Sequence, residues 1–283
     1  MFADDLKLLP ITPRTEQAYF ACVRQLSEFY HRSPELVCAE DVRQYFIHLK
    51  SEKKVARQTS TQAICAIKLF WEKTLHRVWP HELELVRANP QFKLPVVLSV
   101  AETRRILATV PALDHRVCLV LIYSCGLRLG EGLRLQVRDI DAERMLLHIR
   151  GGKGNQDRYV PLPERTLLRL REQWKTHRHS TLLFPAKGHN GQGAPTATEP
   201  MCHTTLQRAF RLALHASGVK KDAHVHTLRH SYATQLLEGG ENLRQIQVNL
   251  GHKSPIATVV YTHLTSLCKT QHQKRLDELM GGL

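Results

Sequence analysis

The stretch from His226 to Leu264 reads HTLRHSYATQLLEGGENLRQIQVNLGHKSPIATVVYTHL. His226 and Arg229 stand three residues apart, so a helix that begins at or before His226 projects both from one face. His252 follows Gly251. Ser254 is a good N-cap and Pro255 a good first helical residue, which places Tyr261 on a short helix nine residues after His252. Upstream, Gly126 to Glu131 reads GLRLGE. It sets Arg128 just past an apolar helix, with Glu131 three residues on, in reach to orient it. A guanidinium is planar, permanently charged and able to grip two phosphate oxygens at once. Two arginines, two histidines and one tyrosine, brought together, can hold a phosphodiester and attack it with a phenol.

Taken singly, each element has an ordinary structural explanation. Arg128 and Glu131 fit a surface i,i+3 ion pair. Most tyrosines are amphipathic packing residues, and Tyr123, Tyr159 and Tyr232 compete with Tyr261 on chemistry alone. His226 and His230 form an i,i+4 pair with a geometry able to hold zinc. No third ligand has a suggestive spacing, however, and Arg229 between them repels a cation, so no metal is expected. Lys153 lies in GGKGNQ, residues 151–156. That run is not a G-x-x-x-x-G-K-[ST] phosphate loop and joins two strands rather than a strand and a helix, so nucleotide binding is not expected either. A lysine on such a tip can reach a bound leaving group, or simply be a solvated turn residue.

The chain has 283 residues, 42% of them hydrophobic, enough for one large or two modest domains. A net charge of +14 and a pI near 9.7 point to a polyanionic partner. Residues 1–98 carry 14 basic and 11 acidic side chains, the remainder 26 and 15, so the second part is the stronger electrostatic grip. The seven cysteines are odd in number, scattered and without a C-x-x-C pair. They read as reduced, mostly buried thiols of a cytoplasmic protein. MFADDLKLLP is no signal peptide, and the apolar run from Val117 to Tyr123 is far too short to span a bilayer, so no membrane partner is expected.

Periodicity predicts a mainly α chain with a small β-sheet (α+β). Residues 1–90 form a helical domain. Thr12-Pro13 opens a first helix with Ala18, Tyr19, Val23, Leu26 and Tyr30 on one face. A second spans about 40–50, a third follows a cap at Thr59 or Ser60, and a short fourth lies at 81–88. Lys50, Lys53, Lys54 and Arg57, between the second and third, are either a solvated face or phosphate contacts at a helix start. Residues 91–98, within a proline-containing stretch, are the linker. The second domain, 99–283, starts where Ser99 caps a helix with Glu102 at the third position after it. A buried helix runs from Val117 to Gly126. Strands at 145–150 and 157–162 flank the glycine-rich turn as a hairpin, 185–200 is a loop, and helices follow at 203–217, 227–238, 242–249 and 255–264.

In combination, these motifs resemble the tyrosine recombinases, the lambda-integrase family, from about Leu98 to Leu264 and most densely in the stretch quoted first. The helical first domain is similar to the family's SAM-like core-binding domain. By that resemblance Arg128 and Arg229 correspond to the phosphate-binding arginines, Glu131 to the acidic position after the first, and Lys153 to the hairpin lysine. His226 and His252 correspond to the active-site histidines, and Tyr261 to the nucleophile. The resemblance implies a site-specific recombinase. Tyr261 forms a 3′-phosphotyrosyl bond, His226 is the candidate base, directly or through water, and Lys153 protonates the leaving 5′-oxygen. A covalent intermediate conserves the bond energy, so no cofactor, ATP or catalytic metal is implied. The implied substrate is double-stranded DNA with short inverted-repeat core sites, worked on by a homotetramer across two sites and a four-way junction. The segment after Tyr261 is expected to dock on a neighbouring protomer. Accessory proteins are left open.

Two rivals carry different expectations. A type IB topoisomerase uses similar residues alone and relaxes any supercoiled plasmid. A DNA-binding regulator uses the fold without cutting, against which the complete catalytic set argues. EGLRLQVRDID and GGKGNQDRYVPLP are similar to integron integrases, but 170–203 is too short for the additional insert those enzymes carry. Integration, excision, dimer resolution and transposition all stay open, as does the target sequence.

Overall fold

Whether each predicted helix exists depends first on where its polar ends are satisfied. The computed structural model describes residues 1–85, 94–151, 156–188, 193–252 and 254–263. The chain divides into two compact units, Met1–Phe92 and Lys93–Leu283. In the first lie α1 (Phe2–Lys7), α2 (Pro13–Tyr30), α3 (Ala39–Ser51) and α4 (Arg57–Leu69). Thr12 caps α2 as expected, its hydroxyl accepting from the Thr15 amide, with Pro13 at the first position. The stripes of α2, α3 and α4 meet around Leu26, Val42, Tyr45, Phe46 and Ile67, with Trp71 beside them.

Two details depart from expectation. The short α1 was not anticipated; it buries Phe2 and Leu6 against Val23 and Phe70, and Thr74 donates to Asp5 at 2.6 Å. α4 starts at Arg57, ahead of the expected caps at Thr59 or Ser60. The amides of Glu52 and Lys53 close α3 onto the His48 carbonyl and that of Val55 onto Leu49, while Lys54 takes a left-handed φ of 47°. The chain has reversed by Val55, and α4 begins two residues on at Arg57, with Ala56 at its N-cap and no side-chain cap. Lys50 lies in the last turn of α3, Lys53 and Lys54 lie in the reversal and Arg57 opens α4; all four are exposed. The expected helix at 81–88 begins as a 3₁₀ turn, His81–Leu85, and its remainder lies outside the described residues.

The second unit opens on α5 (Val100–Ala108), where Ser99 and Glu102 exchange the two hydrogen bonds of the predicted capping box. α6 (Leu113–Ser124) and α7 (Leu129–Arg134) follow. α6 starts earlier than the predicted 117. It is apolar almost all round and, as such a helix must, lies in the core. Leu119, Leu121 and Ile122 are fully buried there. Then comes a three-stranded antiparallel sheet, β1 (Ile140–Asp141), β2 (Leu146–Ile149) and β3 (Arg158–Pro161), in that order. The predicted hairpin is β2 and β3, with Leu147 opposite Val160 and Ile149 opposite Arg158. Its tip, with Lys153, lies outside the described residues. The two-residue β1 was not foreseen, nor was α8 (Glu164–Lys175), which packs on α6.

α9 (His203–Ala216), α10 (Val225–Glu238), α11 (Leu243–Leu250) and α12 (Ile256–Val259) complete the unit. The last departs from the predicted 255–264. α12 stops after four residues and tightens into a 3₁₀ turn, Val260–His263, so Tyr261 sits on that turn rather than on the helix. Its ring is buried with Ala233, Ile246 and Leu250. Among the described residues no helix is long and apolar enough to cross a membrane.

Because α6 is the hub of this second core, Leu119→Ala should cost about 2–5 kcal/mol, read as a lowered urea midpoint with unchanged slope. A loss under about 0.5 kcal/mol, the range of surface changes, would mean that Leu119 is not in the core.

Candidate active site

Three arginines converge on one buried carboxylate. Arg128 stands at the N-cap of α7, where its amide donates to Glu131 Oε2 at 2.8 Å and its Nη1 to Oε1 at 2.7 Å. Arg158 on β3 reaches the same carboxylate with both terminal nitrogens, at 3.0 and 2.8 Å. Arg229 on α10 lies 3.9 Å from Oε2. Burial alone would raise the Glu131 pKa. The hydrogen bonds and charge of Arg158, then those of Arg128, outweigh it and hold the group at about 2.

The same three side chains also share the end of α11. Arg158 Nε donates to the Asn249 carbonyl at 2.9 Å, Arg229 Nη2 to Leu250 at 2.6 Å and Arg128 Nη2 to Gly251 at 3.2 Å. Three successive carbonyls at a helix C-terminus, the negative end of its dipole, thus take one arginine each. Gly251 ends α11 in the left-handed conformation (φ 63°), and a Cβ there would lie 3.0–3.1 Å from the Arg158 side chain; both constraints call for glycine. Arg229 donates its other terminal nitrogen to the Gly126 carbonyl at 2.6 Å. Gly126 is itself left-handed (φ 61°), and a Cβ on it would meet Tyr232 at 2.4 Å. Arg229 is 1% exposed. Burial first, then the Arg128 charge, lower its pKa to about 9, so it stays cationic at neutral pH.

Beside these charges lie three histidines and a phenol. His226 and His230 are one turn apart on α10, their rings edge-on at 4.7 Å between centroids. The Tyr261 hydroxyl meets His230 Nδ1 at 3.1 Å. The His252 ring lies parallel to that phenol, 6.4 Å between centroids, its Nδ1 held 2.8 Å from the Thr258 hydroxyl. Desolvation lowers each histidine to about 4. The other contributors are mainly His230 and then Arg229 at His226, Arg229 at His230, and Arg229 with Arg128 at His252. Solvent reaches the His226 ring, yet the protein around it suffices. All three are neutral at pH 7. Burial raises the Tyr261 phenol, which is 1% exposed, and the charges of Arg229 and Arg128 offset part of that rise.

The fold therefore brings together Arg128, Glu131, His226, Arg229, His252 and Tyr261, and Lys153 alone of the expected set lies outside the described residues. With one carboxylate against three guanidiniums, the cluster carries two excess positive charges, suited to an anion. No group of three or more His, Cys, Asp or Glu among the described residues is arranged to hold a metal. Two participants went unread in the sequence. Arg158 had a signal: by strand alternation it shares a face with buried Val160, an odd place for a charge. His230, which its spacing from His226 marks in sequence only as half of a zinc-like pair, lies on the same helix face as His226.

The model of the Phage integrase family matches residues 97–267, and that of the phage integrase N-terminal SAM-like domain matches residues 1–81. The chain belongs to the phage integrase family of tyrosine recombinases. It is 34% identical over 308 aligned residues to an integrase/recombinase of Escherichia coli, covering 97% of this chain and 91% of that one. It is 32% identical over 209 residues to the tyrosine recombinase XerA of Pyrococcus furiosus, covering 71% and 70%. Among solved structures, a lambda integrase tetramer bound to a Holliday junction superposes with a TM-score of 0.72 at 17% identity, over 92% of this chain and 74% of that one. As a member of the family the chain is an enzyme that breaks and rejoins DNA.

The carboxylate at the centre of the cluster gives this recombinase a stability signature. Glu131 ionises far more readily folded than unfolded, so its contribution is complete above its ordinary value of 4.5 and is lost as pH falls towards about 2. Glu131→Gln should therefore lose on the order of 3 kcal/mol at pH 7. Urea titrations should show this gap closing below pH 4.5. A gap that stays constant with pH would mean the carboxylate charge is not what holds the arginines.

Proposed function

We propose that this recombinase is site-specific, cutting each strand of duplex DNA through a 3′-phosphotyrosyl bond on Tyr261 and exchanging strands through a four-way junction. One observation carries the assignment of the nucleophile. Of the tyrosines that compete on chemistry, Tyr261 alone has its hydroxyl on a neutral imidazole while lying in the field of Arg128 and Arg229. Tyr123 bonds to Gln235 and Tyr159 stacks on His148 away from that cluster. Tyr232 carries a hydroxyl pushed up to about 12, chiefly by burial.

In this reading Arg128 and Arg229 bind the non-bridging oxygens and neutralise the charge that develops there, the largest electrostatic contribution in such reactions. Both are already oriented by carbonyls and Glu131, so little reorganisation accompanies the reaction. His226 and His252 add hydrogen bonds to the phosphate, and proton removal from Tyr261 falls to the histidines of α10. Lys153, on the tip between β2 and β3, protonates the leaving 5′-oxygen. No metal or nucleotide cofactor takes part. Tyr261 is almost closed off in the free chain, so docking of DNA has to uncover it before attack.

Residues 1–90 act as the SAM-like core-binding domain, with Lys50, Lys53, Lys54 and Arg57 on phosphates; 91–98 is the linker and 99–283 the catalytic domain with its docking tail. The working assembly is a homotetramer on two inverted-repeat core sites, in line with the lambda integrase tetramer. We place the enzyme in the cytoplasm, as integrase of a mobile element. Of the six described cysteines only Cys118 and Cys125 are buried, so the expectation of mostly buried thiols does not hold.

Covalent trapping on nicked suicide duplexes, drawn from DNA flanking the gene, tests the reading. Wild type should give a denaturant-resistant adduct without metal or ATP. Tyr261→Phe should bind equally and give none; an adduct in that variant would remove the assignment. Arg229→Lys should cleave at least about 10²-fold more slowly, because a point charge cannot replace the fork, and near-normal turnover would make Arg229 structural. Relaxation of any supercoiled plasmid, without site preference, would favour a topoisomerase. Replacing Lys50, Lys53, Lys54 and Arg57 together by alanine should flatten the slope of log affinity against log salt by about 0.9 for each phosphate that is no longer neutralised. An unchanged slope would leave these four as a solvated face.

A further inference from the structure

Tyr261 must lose a proton as it attacks, and a free phenol, with a pKa of about 10, does not do so unaided at neutral pH. Family resemblance points to His226 for this role. The geometry puts a different nitrogen on the oxygen: His230 Nδ1, at 3.1 Å. His226 stands one ring further out, against His230, at 4.7 Å between centroids, and solvent reaches it. The order of groups is therefore phenol, His230, His226, with the arginine-lined anion site beside them. A proton acceptor has to be within hydrogen-bond reach of the proton it takes, and His230 meets that condition directly.

Building on the phosphotyrosyl reading above, we propose that His230 is the group that receives the Tyr261 proton during strand cleavage and returns it during rejoining. The neutral ring carries its own proton on Nε2, leaving the Nδ1 lone pair for the phenol. As the phenol oxygen bonds to phosphorus, its O–H bond breaks and the proton passes to Nδ1, making an imidazolium. The phosphorus–O5′ bond breaks, and the 5′-oxygen leaves with a proton from Lys153. In the reverse step a 5′-hydroxyl attacks the phosphotyrosine and passes its proton to the now neutral Lys153, the bond from phosphorus to the phenol oxygen breaks, and His230 gives its proton back to the departing phenolate. The groups that face His230 are His224 at the N-cap of α10, His226 and Arg229 from α10, Tyr261 from the turn after α12, and His252 beyond α11. Burial, with the charge of Arg229 beside it, keeps the resting ring neutral, which is the form that accepts a proton.

The test is single-turnover cleavage of the nicked suicide duplex by His230→Asn across pH. Asparagine sets an amide oxygen near the position of Nδ1, so it can still accept the phenol's hydrogen bond, but it offers no basic nitrogen. DNA affinity and melting temperature should stay near wild type, while cleavage at pH 7 should fall about 10²–10⁴-fold. That deficit should shrink about tenfold per pH unit towards pH 10, as hydroxide replaces the missing base. His230→Ala with added imidazole is the second measurement: rescue of cleavage is expected, and it needs only that the variant bind DNA. Cleavage by His230→Asn within about threefold of wild type, a deficit that does not change with pH, or failure of imidazole to rescue would overturn the proposal. Cleavage faster than wild type would overturn it too, by making the contact a restraint on the tyrosine. Failure of wild type itself to form an adduct would instead remove the phosphotyrosyl reading on which this rests.

Discussion

The pairing of three guanidiniums with Glu131 and the last carbonyls of α11 is the constraint on which the second unit depends. Buried cations are costly unless each donor finds an acceptor. Here the acceptors come from three places in the chain: Glu131 on α7, the Gly126 carbonyl after α6, and the carbonyls of Leu250 and its two neighbours at the end of α11. Satisfying the arginines thereby ties α6, α7, β3, α10 and α11 together. It also explains both constrained glycines, since Gly126 presents a carbonyl to Arg229 and Gly251 leaves room for Arg158. Arg158 is a positioning residue in this scheme. It touches no proposed substrate group but holds the carboxylate that orients Arg128.

The chemistry of the site follows from that arrangement. One negative charge against three positive ones leaves a surplus for a phosphodiester, and the same surplus, added to desolvation, keeps His226, His230 and His252 neutral. Neutral imidazoles can both donate to phosphate oxygens and accept a proton, whereas imidazolium could only donate. Arg229 and Arg128 also moderate the rise that burial imposes on the Tyr261 phenol. In the proposed reaction, substrate grip, base strength and nucleophile activation are therefore three consequences of a single charge distribution.

What could be read in the sequence was local. Thr12-Pro13 and Ser99 with Glu102 start their helices as predicted, because a cap is settled within four residues, and the hairpin follows from strand patterning around glycines. The misses were of two kinds. Where a neighbouring turn decides, as in the reversal that starts α4 at Arg57 or the tightening that puts Tyr261 on a 3₁₀ turn, local propensity points a few residues away. Where long-range partners decide, the motif spacing is silent: Arg158 meets Asn249, 91 residues on, and His230 meets Tyr261, 31 residues on. The residues named by resemblance did come together at one site, Lys153 aside. Those that support or complete it became visible only with the fold.

The central claim, that the anion site formed by the arginines delivers a phosphate to Tyr261, is tested most directly by peptide mapping of a trapped protein–DNA adduct. Mass spectrometry of the digested complex should find the 3′-phosphate nucleotide on Tyr261 and on no other residue. A nucleotide carried by Tyr232, Tyr123 or Tyr159, or by a serine, would contradict the account at its core.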